Sequence, residues 1–156
     1  MLGTTARKLR ILGYDTLYDP ESDDKELLRI ARESGRILVT SDSELFLNAK
    51  RLNAPAVLTT ERSEAKRLYE VLAKNGIRSI IDSKGHYPQS RCSVCNGELE
   101  NVGSSLVSET SIFVCKSCGK HYWKGSHWKK LDALFREVSL LLGSDTGTKL
   151  GERVQN

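Results

Sequence analysis

No stretch of this 156-residue chain approaches the eighteen or so continuous apolar residues of a membrane-spanning helix, so a membrane span is excluded and no membrane partner is expected. Internal repeats and long low-complexity runs are absent and there are only three prolines, which excludes solenoid arrays and Pro-rich tails. A dominant charge is also missing. The formal net charge is +4, a mild excess that is local to residues 1–130 and strongest for its length in 91–130. No signal-peptide pattern opens the sequence as given, so the expected compartment is reducing and cytoplasmic, where disulfides are rare. The length suits one ordinary domain plus a small module.

What the chain does hold is concentrated between Arg91 and Lys130, which contains all four cysteines, both tryptophans and two of the three histidines. Cys92-Ser-Val-Cys95 and Cys115-Lys-Ser-Cys118 are two Cys-x2-Cys pairs separated by nineteen residues. Each pair can supply two thiolates to one tetrahedron, the spacing of a four-cysteine structural zinc site. Asn96-Gly97 and Gly119 follow the two pairs, as expected where the backbone folds round to aim amides at sulfur. The expectation is a zinc ribbon over 91–130, made of two knuckles and short antiparallel strands. Such a module has no real core and would depend on its metal. Four thiolates leave no open position for water, so this zinc is expected to hold structure and perform no chemistry.

Upstream, apolar spacing and caps predict a helix from Thr4 or Thr5 to Leu12 stopped by Gly13, with Arg7, Lys8 and Arg10 mainly outside. A short strand Tyr14–Tyr18 follows, then a helix capped by Asp23 or Asp24 and closed by Gly35. Next come a buried strand Arg36–Thr40, a helix capped within Ser41-Asp42-Ser43 and running to about Leu52, and a strand Ala56–Thr59. A helix from Ser63 to Lys74 and a strand Ile77–Ile81 complete the series. Helices alternating with apolar strands predict an α/β fold with a parallel sheet flanked by helices. The expected division is an α/β domain over 1–84, a linker at 85–90, the ribbon, a helix over 131–142 and a mobile tail over 143–156. A sheet of this kind normally begins with a buried strand, whereas Met1 sits almost directly on a helix. Either that strand is absent or this start is internal to a longer reading frame.

Functional crevices in open parallel sheets lie beyond the carboxyl ends of the strands. Asp42 follows the strand that ends at Thr40, Ser41 and Ser43 flank it, and Glu44 lies one residue further on. Asp23 and Asp24 open the helix after Tyr18. Carboxylates with nearby hydroxyls suit hard cations such as Mg2+ or Mn2+, which activate water and neutralise charge on a phosphodiester being cleaved. Each acid also reads simply as a helix cap or a solvated first-turn acid. In the ribbon, Lys116, Lys120, Lys124, Lys129 and Lys130 interleave with His121, Tyr122, Trp123, His127 and Trp128, and no acid lies between Cys115 and Lys130. Lysines meet phosphates and exposed rings stack on unpaired bases, which predicts single-stranded RNA as a partner. The alternative is that these rings cover the ribbon's thin core or bury against a protein partner.

Met-Leu-Gly-x-x-Ala-Arg-x-Leu-Arg-x-Leu-Gly-Tyr-Asp-Thr (1–16), Asp-Asp-x-Glu-Leu-Leu (23–28) and Gly-Arg-Ile-Leu-Val-Thr-Ser-Asp (35–42) carry a resemblance, with Arg-Cys-x-x-Cys-Asn-Gly (91–97) and Cys-Gly-Lys-x-Tyr-Trp-x-Gly-Ser-His-Trp (118–128). Together they resemble the Mut7-C family, a PIN-like domain followed by a zinc ribbon. The resemblance spans roughly residues 1–135. It implies a PIN-like α/β fold and a metal-dependent ribonuclease in which Asp42 and Asp24 (or Asp23) match active-site acids. The architecture is also similar to that of the enzyme that trims small-subunit ribosomal RNA, which makes a ribosomal partner a further expectation. The family pattern places an aspartate at the end of a first strand just before the Met-Leu-Gly run. This sequence begins at that run, so the expectation divides between a nuclease, inactive in this chain if that aspartate is lacking, and a noncatalytic RNA-binding protein.

Overall fold

A computed structural model of the protein describes residues 2–104 and 110–148. Helix α1 (Leu2–Ile11) ends where Gly13 takes φ +89, and the Tyr14 amide turns back to the Leu9 carbonyl at 3.0 Å. Glycine is required there twice over, because a Cβ would also stand 2.8 Å from the Gln89 carbonyl oxygen. Helix α2 (Asp24–Ser34) is capped by Asp23 and closed by Gly35 in the left-handed region. Strand β1 (Leu38–Thr40), helix α3 (Ser43–Arg51), strand β2 (Ala56–Leu58) and helix α4 (Glu64–Lys74) follow.

Strands β1 and β2 pair in parallel, Leu38 with Ala56, Val39 with Val57 and Thr40 with Leu58. Strand side chains alternate between faces, so this register sends two sets of residues to two separate cores. Val57 and the partly buried Val39 join Leu9, Leu12, Leu68, Val71, Leu72 and Ile80. Leu38 and Ala56 join Ala31, Leu45, Ala49 and Ala54 between α2 and α3. The result is the expected mixed α/β arrangement, a small parallel sheet with helices on both faces.

The ribbon is an antiparallel sheet of β3 (Leu99–Ser104), β4 (Ser111–Cys115) and β5 (His121–Trp123), in that spatial order. Among the described residues its buried cluster is Cys92, Leu99 and Cys115, with Phe113 and Tyr122 against it. That is too little apolar surface to hold three strands without a metal. Helix α5 (Ser126–Thr148) then returns to the α/β unit and places Phe135, Val138 and Leu142 in the first core.

Four expectations are corrected. Tyr14–Tyr18 is not a strand, because groups other than a neighbouring strand take its backbone. The Thr16 amide donates to Asn96 Oδ1, the Thr16 carbonyl accepts from Arg10 Nε and the Asp15 carbonyl accepts from Arg36. Ile77–Ile81 is not a strand either. The Ile77 amide closes onto Leu72, and Ser79 and Ile81 bond each other, while Ile80 alone is fully buried. Arg10, expected outside, is 5% exposed. Finally, α5 begins at Ser126 instead of Leu131, taking the last residues expected in the ribbon, and it runs through residues 143–148, expected to be mobile tail. Residues 149–156 of that tail lie outside the described residues.

Candidate metal centre and nucleic-acid interface

The two knuckles are built alike. The Cys95 amide faces Cys92 Sγ at 3.4 Å, and the Cys118 amide faces Cys115 Sγ at 3.5 Å. Asn96 (φ +66) and Gly119 (φ +72) occupy equivalent left-handed positions, and each amide returns to the carbonyl of the first cysteine of its pair at 2.9 Å. Gly97 is the point of closest approach, since a Cβ there would lie 2.5 Å from Ser117 Oγ and 2.9 Å from Cys115 Sγ.

This folding brings the four sulfurs together. Cys92 Sγ and Cys118 Sγ are 3.6 Å apart, Cys95 Sγ and Cys115 Sγ are 3.4 Å apart, and all four lie within 4.8 Å of one another. Metal–sulfur bonds of about 2.3 Å in a tetrahedron require sulfur–sulfur edges of about 3.8 Å, so the cluster fits a metal ion such as zinc. None of the four is in a disulfide. Among the described residues this is the one group of three or more Cys, His, Asp or Glu side chains arranged to hold a metal, and neither His121 nor His127 belongs to it.

The four sulfurs shift one another's protonation in opposite directions. Burial pushes the Cys92 thiol up, but hydrogen bonds from the Cys95 amide, the Tyr122 hydroxyl and the Val94 amide bring it down to about 6. At Cys95 the Gly97 amide pulls the other way, yet the facing sulfurs of Cys115 and Cys118 push the thiol up to about 12. Each thiol must lose its proton to ligate, so metal binding at this cluster would release protons. Tyr122 belongs to this assembly, because its hydroxyl lies 3.0 Å from Cys92 Sγ and 3.3 Å from Ser93 Oγ. This contact accords with the alternative that Tyr122 covers the ribbon's thin core, and its hydroxyl supports a sulfur.

The first knuckle is also joined to the α/β unit. Arg10 Nη1 donates to the Ser93 and Val94 carbonyls at 3.1 and 2.8 Å, and the Arg91 amide donates to the Arg10 carbonyl at 2.8 Å. Asn96, 8% exposed, accepts from the Thr16 amide and donates to Asp15. The Arg36 guanidinium, followed by the Asn96 amide, holds the Asp15 carboxyl below the usual carboxylate range. No sequence signal marked Arg10, Asp15 or Asn96 for this role, because their partners lie about eighty positions away in the chain.

The candidate acids are exposed helix starts. Asp23 caps α2 by accepting from the Glu26 amide at 2.8 Å, and Asp24 is the first residue of that helix. Asp42 caps α3 through Oδ1 alone, which accepts from the Glu44 and Leu45 amides at 2.7 and 3.1 Å, so Oδ2 stays outside the cap. The Asp42 amide donates to the buried Thr40 hydroxyl at 3.0 Å. Ser41, Ser43 and Glu44 are exposed around it. At the carboxyl end of β2, buried Arg67, which the sequence did not single out, holds the following loop through the Glu61 carbonyl at 2.7 Å.

The structure separates the basic and aromatic residues of the ribbon. Trp123 is 65% exposed on β5. Trp128 packs edge-on against Tyr87 with centroids 6.5 Å apart, and Lys124 Nζ lies 5.0 Å from its ring centroid. Lys116 pairs with Glu98 at 3.3 Å. Lys120, Lys129, Lys130 and His127 are exposed, the last three on the first turns of α5. No described helix is long and apolar enough to cross a membrane.

Against known proteins, the family model described as the Mut7-C RNAse domain matches residues 1–135. No curated protein and no solved structure matches the chain. Because the family match runs over the α/β core, both knuckles and the first turns of α5, the chain belongs to the Mut7-C RNAse domain family.

Proposed function

We propose that this chain acts as a metal-dependent endoribonuclease that hydrolyses RNA phosphodiester bonds, with a structural zinc in the ribbon and the ribbon surface holding single-stranded RNA. The observation that carries this reading is the family match over residues 1–135. Asp42, with Asp24 or Asp23, is the proposed ligand set for Mg2+ or Mn2+. Its donors are hard, exposed oxygens, and a set of few carboxylates accords with an ion that keeps several waters and takes phosphate oxygens from its substrate. Such an ion, when bound, supplies Lewis-acid polarisation of the phosphate and a water of lowered pKa.

The chain's own residues do the rest. The α3 cap fixes the orientation of Asp42, leaving Oδ2 for the ion. Thr40, having accepted the Asp42 amide, keeps its hydroxyl proton to donate to a water or a phosphate oxygen. Ser41 and Ser43 offer the same donor beside Asp42, and Glu44 adds negative potential. The test is cleavage of labelled single-stranded RNA with Mg2+ or Mn2+ added. Wild type should cut only with the divalent ion, and Asp42→Asn, purified identically, should lose that cutting. Equal cutting by both proteins, or none by either, would overturn the reading.

A noncatalytic RNA-binding role is favoured by one observation, the exposed indole of Trp123, with exposed Lys120 and Lys124 three and one positions away in the chain. Base stacking on an aromatic ring contributes about 1–3 kcal/mol, so Trp123→Ala should weaken binding of an unstructured oligonucleotide by about tenfold. Binding to lysines should fall steeply with salt. Affinity indifferent to salt and to Trp123→Ala would point instead to a protein partner on this face.

A further inference from the structure

The Cys92–Cys95 knuckle faces two ways. On one side it presents sulfur to a metal, and on the other it presents backbone and side-chain groups to the α/β unit. The buried guanidinium of Arg10 donates to the carbonyls of Ser93 and Val94, the two residues that the chelate loop encloses, and also to Thr16 O at 2.8 Å. Asn96, at the left-handed turn that closes the loop, accepts the Thr16 amide at 3.1 Å and donates to Asp15 Oδ1. Asp15 Oδ2 in turn pairs with Arg36 Nη2 at 2.6 Å, two residues ahead of β1. A continuous polar chain therefore runs from the knuckle, through the α1–α2 connector, to the base of the parallel sheet. Every group that the knuckle contributes to it points where the closed turn directs it.

We propose that Arg10 and Asn96 are positioning residues that couple metal binding at the first knuckle to the α1–α2 connector and the base of β1. Opening the knuckle swings the Ser93 and Val94 carbonyls away and leaves a buried guanidinium short of acceptors, which is costly enough to loosen its surroundings. The Thr16 amide loses its acceptor in the same movement. This coupling stands apart from the nuclease reading, since it concerns the metal's hold on the α/β unit and involves none of the candidate acids.

Asn96→Gly separates the coupling from the metal site. The second knuckle carries Gly119 at the equivalent position, so glycine meets the turn's backbone requirement. The variant removes the coupling side chain and its 3.2 Å bond from Arg91 Nε, while Arg91 Nε keeps the residue-96 carbonyl at 2.9 Å. The experiment is amide hydrogen exchange at Thr16 in the full chain, loaded with zinc and after zinc removal by a chelator. Metal removal should speed Thr16 exchange in wild type by about tenfold or more, the equivalent of one lost hydrogen bond. Asn96→Gly should still bind one zinc per chain and exchange Thr16 quickly whether loaded or not. The proposal is overturned if wild-type Thr16 keeps its protection after the β3–β4 amides have lost theirs. It is equally overturned if Asn96→Gly holds zinc and protects Thr16 as wild type does. Should the variant fail to hold zinc, the wild-type comparison decides by the first criterion.

Discussion

Replacing Cys92 with serine is expected to empty the metal site and unfold the ribbon while the helices of the α/β unit persist. Cys92 is fully buried, and its sulfur lies at the meeting point of the Cys95 amide, the Tyr122 hydroxyl and Cys118 Sγ. Serine keeps the shape but offers a harder, far less acidic ligand in place of a thiolate. Structural zinc in such small modules contributes on the order of 10–16 kcal/mol near neutral pH, and this free energy is the folding free energy of the module. The apolar cluster of Cys92, Leu99 and Cys115 has no reserve of that size. Metal analysis after dialysis should find about one zinc per wild-type chain and close to none in Cys92→Ser, with protection lost along β3 to β5. A variant that keeps both its zinc and its ribbon amides would show that the ribbon does not depend on this tetrahedron. Acid should act in the same direction. Each ligand must lose its proton to bind, so metal affinity falls as pH drops, and the ribbon should open before the α/β unit does.

Phe135→Ala is expected to destabilise the α/β unit, although Phe135 lies beyond the ribbon in sequence. Its ring is fully buried in the core that contains Leu9, Leu12, Leu68 and Leu72, and it meets Tyr87 edge-on with centroids 5.5 Å apart. Truncating a buried phenylalanine typically costs about 3–5 kcal/mol, the lost transfer free energy plus the cavity left behind. For a chain of this size that corresponds to a fall in Tm on the order of 10 °C. Zinc content should be unchanged, because the knuckles make no use of this ring. A shift of only a degree or two would mean that α5 docks loosely and adds little to the core.

The two substitutions separate what was legible in the sequence from what was not. The knuckles could be read directly. Two sulfurs three positions apart, followed by Asn-Gly or Gly, form a chelating turn from contiguous residues, and only one further step, the meeting of two such turns, was left to the fold. The caps were legible to within a residue, as Asp23 or Asp24, Ser41-Asp42-Ser43 and Ser63, because a cap bonds amides two or three residues downstream. The structure selects Asp23, Asp42 and Ser63. The Tyr14–Tyr18 segment was misread for the opposite reason. Its alternation is that of a strand, but its backbone groups are taken by Asn96, Arg10 and Arg36 side chains. Arg10 sits among exposed basic residues of α1 and follows the pattern of a solvated one, and only the docking of the knuckle gives its guanidinium a buried set of carbonyls. The candidate site divides the same way. Sequence proposed Tyr122, Trp123 and Trp128 as one group, whereas the fold gives the first to a sulfur, exposes the second and packs the third on Tyr87.

By itself, then, the sequence determined the two cysteine knuckles, the caps that open α2, α3 and α4, and the mixed α/β class, since each is written in residues within a few positions of one another. The starts of α1 and α5, at Leu2 and Ser126 instead of Thr4 or Thr5 and Leu131, were not among them. Tertiary structure alone decided that the ribbon is bolted to α1, that α5 completes the first core and which aromatic ring faces solvent. Those outcomes depend on which buried polar group finds its acceptor and which apolar face finds its cover across long separations in the chain. No local pattern encodes either.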